Sequence, residues 1–329
     1  MVKDTLLSQF KSGIKAFQFA LLVFVLSATN THAQQLPIFT QYREHNSLLN
    51  PAAINSGYFN FEQNGVFGIS HRSQWTDIPT APKTTVLHGS YMTDDLSGIN
   101  VLFGGNLIND QVGPTAFTGL NARFAGIISG DPAYNGISLG LSAGAVQYRV
   151  KADELRARDQ NDISLAQNVA QIYPDVGIGI FAYQSFGRND YVYGGVSVPQ
   201  VIGLDLSFQD DNGREFTTKR IQHYYAQIGL IKTFRNESFL EPSVWVKYVQ
   251  NSPVNVDFNV RYQFVEALWI GAGASTSKTA HLEGGVLLGD NVGYESNVQI
   301  GYGYDYSFSS QGPFLGGTHE FNLAYYFSR

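Results

Sequence analysis

The sequence predicts an all-β protein, a closed antiparallel transmembrane barrel of about 14 strands with an export signal in front of it. Three features carry this expectation. Apolar and polar side chains alternate with a period of two over most of the chain, long connections alternate with short ones, and the first residues form a short charged-then-apolar leader.

Residues 1–33 have the order of a signal peptide. Lys3, Lys11 and Lys15 precede an apolar run from Ala16 to Leu26, and Thr31-His32-Ala33 supplies a small-residue cleavage site. A membrane-spanning helix needs about 20 apolar residues, so this run is too short to serve as an anchor. Removing the leader takes away three lysines and one aspartate. The remainder holds 18 basic and 26 acidic residues, a net charge of −8. No basic block accompanies that charge, which argues against a nucleic-acid partner. The absence of cysteine rules out disulfides, thiolate metal sites and a lipid-modified cysteine. An aromatic content of 14 %, with 34 glycines against 11 prolines, suits rings placed at two membrane interfaces.

The alternation is clearest from Val254 to Phe264. Val254, Val256, Phe258, Val260, Tyr262 and Phe264 fall on one face; Asn255, Asp257, Asn259, Arg261 and Gln263 fall on the other. Ile137, Leu139 and Leu141 alternate with Ser138, Gly140 and Ser142. Val298, Ile300, Tyr302, Tyr304 and Tyr306 alternate with Gln299, Gly301, Gly303 and Asp305. Strands are expected near 59–70, 84–92, 98–108, 115–128, 136–149, 175–183, 191–198, 220–233, 242–249, 254–264, 267–274, 280–288, 294–306 and 318–327. Segment 115–128 is the weakest, because Asn121 and Arg123 interrupt it. An even count lets the sheet close with no unpaired edge in lipid.

The long connections, 71–83, 150–174, 199–219 and 307–317, all follow odd-numbered strands, and those after even-numbered strands are short. Outer-membrane barrels have short periplasmic turns and longer outside loops, which places the N-terminus in the periplasm. A soluble β-sandwich shares the strand period but gives no reason for this alternation of loops. The expected domains are a signal peptide at 1–33, a periplasmic tail or plug at 34–58, and the barrel at 59–329. Within 150–174, residues Ile163 to Ile172 suit a short helix.

No constellation points to catalysis. The histidines lack metal-ligand spacing, and no Gly-x-Ser-x-Gly elbow supports a hydrolase. His223 and Glu283 face inward on their strands, with Tyr225 and His281 nearby, which is the most that a Ser/His/acid reading can draw on. Gly301 and Gly303 are small inward positions against outward tyrosines, not a phosphate cradle. Trp75, Trp245 and Trp269 are expected as interface anchors. No cofactor or metal is expected.

Four stretches resemble the PorP/SprF family of outer-membrane proteins. Pro37-Ile38-Phe39-Thr40-Gln41-Tyr42 followed by Asn50-Pro51-Ala52 is similar to the family's opening. Arg72-Ser73-Gln74-Trp75 with Ala81-Pro82-Lys83-Thr84 is similar to its first hairpin. Gly301-Tyr302-Gly303-Tyr304-Asp305-Tyr306 and Gly317-Thr318-His319-Glu320 are similar to its last two strands. One departure is Ile54-Asn55-Ser56, which stands before Gly57 where the family places Ala-Gly sooner.

The resemblance implies a non-enzymatic barrel of the type IX secretion and gliding machinery of Bacteroidota. It works with other secretion components and with a secreted partner such as a large surface adhesin. On that reading Arg72, Gln74, Trp75, Pro82 and Lys83, in the first outside loop, are the candidate partner-binding residues. Asn50, Pro51, Tyr302, Tyr304, Asp305, His319 and Glu320 are structural motif residues, with Asp305, His319 and Glu320 grouped as a clasp near the outer mouth. The alternative function is a substrate-specific or passive porin-like transporter, since a barrel of this size can leave a lumen.

Overall fold

A computed structural model describes residues 38–93, 99–151, 169–187, 189–209, 215–265, 267–289, 292–310 and 312–328. The expected signal peptide lies outside them. The chain forms β1 (Gly65–Ser73), β2 (Lys83–Met92), β3 (Ile99–Val112), β4 (Thr115–Ile128), β5 (Asn135–Val150), β6 (Val169–Phe186), β7 (Asp190–Val198), β8 (Leu204–Gln209), β9 (Glu215–Arg220), β10 (His223–Thr233), β11 (Phe239–Val249), β12 (Asn255–Gln263), β13 (Leu268–Ser275), β14 (Thr279–Leu288), β15 (Asn297–Ser307) and β16 (Thr318–Phe327). Among the described residues three short helices accompany them: α1 (Asn46–Leu49), α2 (Ser56–Phe61) and α3 (Gly312–Leu315).

Fourteen strands close into one antiparallel barrel, each paired with its sequence neighbour except where β10 follows β7. β1 and β16 seal the seam from Gly65↔Phe327 to Ser73↔His319. Hydrocarbon offers backbone groups no water to bond, so a spanning sheet without this seam would leave two rows of them unpaired. β8 and β9 form a separate hairpin within the β7–β10 connection.

The two faces of the wall are inverted relative to a soluble protein. On β12, Phe258 and Val260 are exposed while Asp257, Asn259 and Arg261 are buried. On β5, Leu139 and Leu141 are exposed and Ser138 is wholly buried. The apolar stripe therefore faces lipid and the polar stripe faces the bore.

Several boundaries differ from the sequence expectation, each for a local reason. Residues 59–61 belong to α2, not to the first strand, because the Asn55 side chain accepts a hydrogen bond from Tyr58 N at 3.0 Å and starts a helix. Residues 169–172 are strand rather than helix, pairing with Gln147–Val150 of β5; the rest of that expected helix lies outside the described residues. The 199–219 connection contains β8 and β9. Segment 115–128 is an unbroken strand, because Asn121 and Arg123 occupy inward positions of the same alternation.

The long connections 74–82, 151–168, 199–222 and 308–317 all leave one end of the barrel, together with short turns at 113–114, 250–254 and 276–278. The connections at the other end are short or moderate. β1 starts from that short-turn end. Residues 38–64, the luminal segment, run inside the bore. Its first residues lie toward the long-loop end, where Thr40 meets Arg72 and Asp305. Its last residues lie at the short-turn end, where Gln63 meets Glu295 and Asn297.

The lipid-facing assignment has a direct consequence. Val260→Lys, mid-strand on the outer wall, is expected to cost about 2–4 kcal/mol in refolding titrations. His71→Lys, outward but near the end of β1, is expected to cost at most about 1 kcal/mol. Asn259→Lys is no mild control, since Asn259 is buried against Arg43 and His281. Equal costs at positions 260 and 71 would contradict the assignment.

Candidate functional site

The luminal segment is built from a helical turn and a tight Asn-Pro-Ala corner. Asn50 Oδ1 accepts from Ala52 N at 2.9 Å, fixing the corner, while Asn50 Nδ2 donates to the Ile180 carbonyl at 3.1 Å. The corner rests where the wall has no side chains. A Cβ at Gly140 would stand 2.3 Å from Ala52 N, and one at Gly179 would stand 1.9 Å from Asn50 Oδ1. Arg123 completes the seat by donating to the Ala53 carbonyl at 2.7 Å. Ala52, Ala53 and Ile54 then pack on Ala125, Ile127 and Phe181, so the apolar core of this protein lies inside its barrel. Farther along, Phe59 stacks over Tyr193.

Charge holds the other half of the segment. Arg72 Nη2 lies 2.6 Å from Asp305 Oδ2, and Arg72 Nη1 lies 3.2 Å from Glu320 Oε2. The two carboxylates also take the segment itself: Thr40 N and Gln41 N donate to Glu320 at 2.8 and 3.1 Å, and Thr40 Oγ1 donates to Asp305 at 2.7 Å. Arg43 pairs with Glu283, donates to Asn259, and lies 3.6 Å from Glu241. Glu44 accepts from Arg261 at 3.1 Å, Gln299 at 2.9 Å and the Tyr326 hydroxyl at 2.5 Å.

This arrangement moves several residues from their expected places. Arg72 is not in an outside loop: β1 continues through Ser73, and alternation turns Arg72 into the bore. His319 is not part of the clasp. It lies on the outer face, where its Nδ1 meets the Tyr302 hydroxyl at 2.7 Å and its ring meets Tyr304. The histidine beside Glu320 is instead His45, 3.5 Å away.

Trp245 and Trp269 are buried in the bore and do not anchor an interface. Tyr42 stacks on Trp245, Lys247 Nζ lies 4.2 Å from the same ring, and the Arg261 guanidinium lies 4.4 Å from Trp269. Strand parity was the available signal, since Trp245 shares a face with Ser243 and Lys247, and Trp269 with Gly271. Gly301 and Gly303 do face inward, against Gln41 and Thr40. Glu283 is engaged by Arg43, and His223 sits on β10, well round the wall from β14, so no Ser/His/acid group forms there. Arg43, Glu44, Arg123 and Arg261 carry the network, yet no motif marked them.

The remaining candidates sit on the rim. Gln74 N donates to the Pro82 carbonyl at 2.9 Å and closes the β1–β2 loop. Trp75 is half-buried at φ 56°, a left-handed backbone that costs a non-glycine residue about 1–3 kcal/mol. It is held there by the start of β16 and the 308–317 loop: Trp75 N donates to Thr318 Oγ1 at 3.3 Å, Thr76 N to Gly317 O at 3.0 Å and Asp77 N to Leu315 O at 3.2 Å. The first and last long loops thus form one surface, with Lys83 exposed at its foot.

Breaking one partner of a buried pair leaves an uncompensated charge, at a cost of about 3–5 kcal/mol. Arg43→Met is therefore expected to lower barrel stability by that amount in urea titrations. Gly140→Val is expected to unseat the Asn-Pro-Ala corner with the barrel wall intact. A near-wild-type midpoint for Arg43→Met would contradict the assigned pairing.

Comparison with known proteins agrees with this architecture. A family model described as type IX secretion system membrane protein PorP/SprF matches residues 31–325. No curated protein matches. Among solved structures, a TodX monoaromatic hydrocarbon channel mutant (deltaS2S3) is 10 % identical with a TM-score of 0.55, covering 86 % of this chain and 94 % of its own. The CymD monoaromatic hydrocarbon channel is 11 % identical with a TM-score of 0.52, covering 87 % and 93 %. At such identities the likeness speaks for the barrel fold alone. With a lipid-facing barrel of fourteen strands and a family match over nearly its whole length, this chain is a bacterial outer-membrane protein and belongs to the PorP/SprF family of type IX secretion system membrane proteins.

Proposed function

We propose that the protein is a sealed docking scaffold. Its long-loop end faces outside and supports secretion or surface anchoring of a partner protein, such as a large adhesin of the gliding apparatus, without catalysing a reaction. The observation that carries this reading is the luminal segment, which crosses the bore and is tied to β1, β11, β12, β14, β15 and β16 by buried polar and charged contacts. A bore crossed and obstructed in this way suits a support better than a conduit. Short turns then face the periplasm, where β1 begins, and the joined 74–82 and 308–317 loops face the partner. Gln74, Trp75, Pro82 and Lys83 remain the contact candidates, and Arg72 acts beneath them by holding the segment.

Two measurements test the proposal. In planar bilayers the purified chain is expected to show no steady conductance, and the double variant Arg43→Ala/Glu44→Ala is expected to open intermittently. Steady open-channel current from the wild type would favour the transporter reading instead. In cells, the double variant Gln74→Ala/Trp75→Ala is expected to reduce surface delivery of the partner while the barrel remains heat-modifiable on gels. Unchanged delivery would remove the rim from the docking surface.

A further inference from the structure

The outward face of the wall changes character around the barrel. Toward the long-loop end, β10, β11 and β15 carry the exposed tyrosines Tyr224, Tyr248, Tyr302 and Tyr306, the girdle usual at a membrane interface. On β1–β5 three outward cross-strand rows take a different form. The innermost is apolar throughout, with Ile69, Leu87, Leu107, Leu120 and Ala145. Two residues farther along the strands come His71, Thr85, Asn109, Thr118 and Gln147. The outermost row is Ser73, Lys83, Gln111, Ala116 and Arg149. No ring of tyrosine or tryptophan stands in any of the three.

The middle row largely satisfies itself. His71 Nδ1 meets Thr85 Oγ1 at 2.9 Å, and Asn109 Nδ2 donates to Thr118 Oγ1 at 2.8 Å. The outermost row does not. Lys83, Gln111 and Arg149 are exposed, and among the described residues no hydrogen bond or ion pair engages their side chains. Nor does a carboxylate balance the two cations on this face. Asp110, the one acidic residue in β1–β5, points into the bore and accepts from Thr84 Oγ1 at 2.5 Å.

This pattern specifies a ligand in three parts. Cations at a membrane surface attract anionic head groups. Neighbouring strands lie about 4.8 Å apart, so Lys83 on β2 and Arg149 on β5 are roughly 14 Å apart along their row. That separation matches two anionic groups on a broad head better than one phosphate. The amides and hydroxyls between them match sugar hydroxyls, donor for acceptor. Directly beneath, the leucine row continues the same strands into the hydrocarbon band, which calls for acyl chains attached to that head.

We propose that the outward face of β1–β5 at the long-loop end binds an anionic glycolipid of the outer leaflet, of the lipopolysaccharide class. Its charged groups lie on Lys83 and Arg149, and its acyl chains lie on the leucine row. The patch stands on strand parity and exposure; its placement in the outer leaflet rests on the orientation proposed above. Lys83 then serves the lipid, and Gln74 and Trp75 are left to the partner.

The test uses the purified full-length barrel in detergent, titrated with rough-type lipopolysaccharide or phosphatidylglycerol and read by native mass spectrometry. Lipopolysaccharide is expected to bind at least tenfold more tightly than phosphatidylglycerol, and added inorganic phosphate is expected not to compete. Lys83→Gln/Arg149→Gln is expected to weaken lipopolysaccharide binding at least tenfold while heat-modifiability is retained. Lys278→Gln removes another exposed cation at the same end, in the β13–β14 turn, and is expected to change binding less than about twofold. No lipopolysaccharide binding, equally tight phosphatidylglycerol, or equal effects of the two substitutions would overturn the site. Orientation is read separately, because the chain has no cysteine and Ser277→Cys introduces a single exposed thiol at that end. A membrane-impermeant maleimide is expected to label it on whole cells. Labelling only after the outer membrane is permeabilised would overturn the orientation and the outer-leaflet placement together. Labelling on whole cells without lipopolysaccharide binding would overturn the lipid site alone.

Discussion

Charge compensation inside the bore is the constraint on which the rest of this structure depends. A barrel in lipid must turn its apolar residues outward, and the inward half of each strand is then free to be polar. Here it is more than polar: Arg72, Arg261, Glu241, Glu283, Asp305 and Glu320 are all buried. Each needs a partner of opposite charge or a set of hydrogen bonds, because an isolated ion in such a place costs several kcal/mol. The wall pairs some of them with each other. The luminal segment supplies the rest, with Arg43 between Glu241 and Glu283 and Glu44 on Arg261. Neither the segment nor the wall is electrostatically complete without the other.

That dependence explains which parts of the molecule were legible in the sequence. Alternation on strands such as β12, β5 and β15 is a short-range signal set by strand geometry and showed the two faces, and the lengths of the connections between such segments showed the long-loop end. Charge partners across the bore are a long-range matter. Arg43 and Glu283 are separated by 240 residues, and nothing in either neighbourhood names the other. Family-like motifs marked Asn50, Pro51, Asp305 and Glu320 without indicating that all four serve the luminal segment. Arg72 was misplaced by a strand boundary only a few residues too early, which turned an inward cation into a loop residue. Trp245 and Trp269 were misplaced by a composition rule, aromatics at interfaces, applied where strand parity pointed into the bore. His319 was grouped with Asp305 and Glu320 by sequence proximity, although adjacent strand residues face opposite sides.

The rim and the bore are linked through the same residues. Thr318 holds Trp75 in its left-handed backbone, and two residues later Glu320 takes the Thr40 and Gln41 amides. Ser73 and Arg72 connect the first long loop to the same carboxylates. A disturbance of the segment therefore reaches the β1–β2 loop through one strand end, which gives a physical route between the seal and the surface offered to a partner.

If residues 38–64 are a fixed structural part of the barrel and not a loose tail, hydrogen exchange of the purified protein in detergent will show it. Amides of residues 40–54 are expected to exchange as slowly as those of β11 and β12, and to become fast in Arg43→Met. Rapid exchange across 40–54 in the wild-type protein, at the rate of the exposed 74–82 loop, would contradict the account.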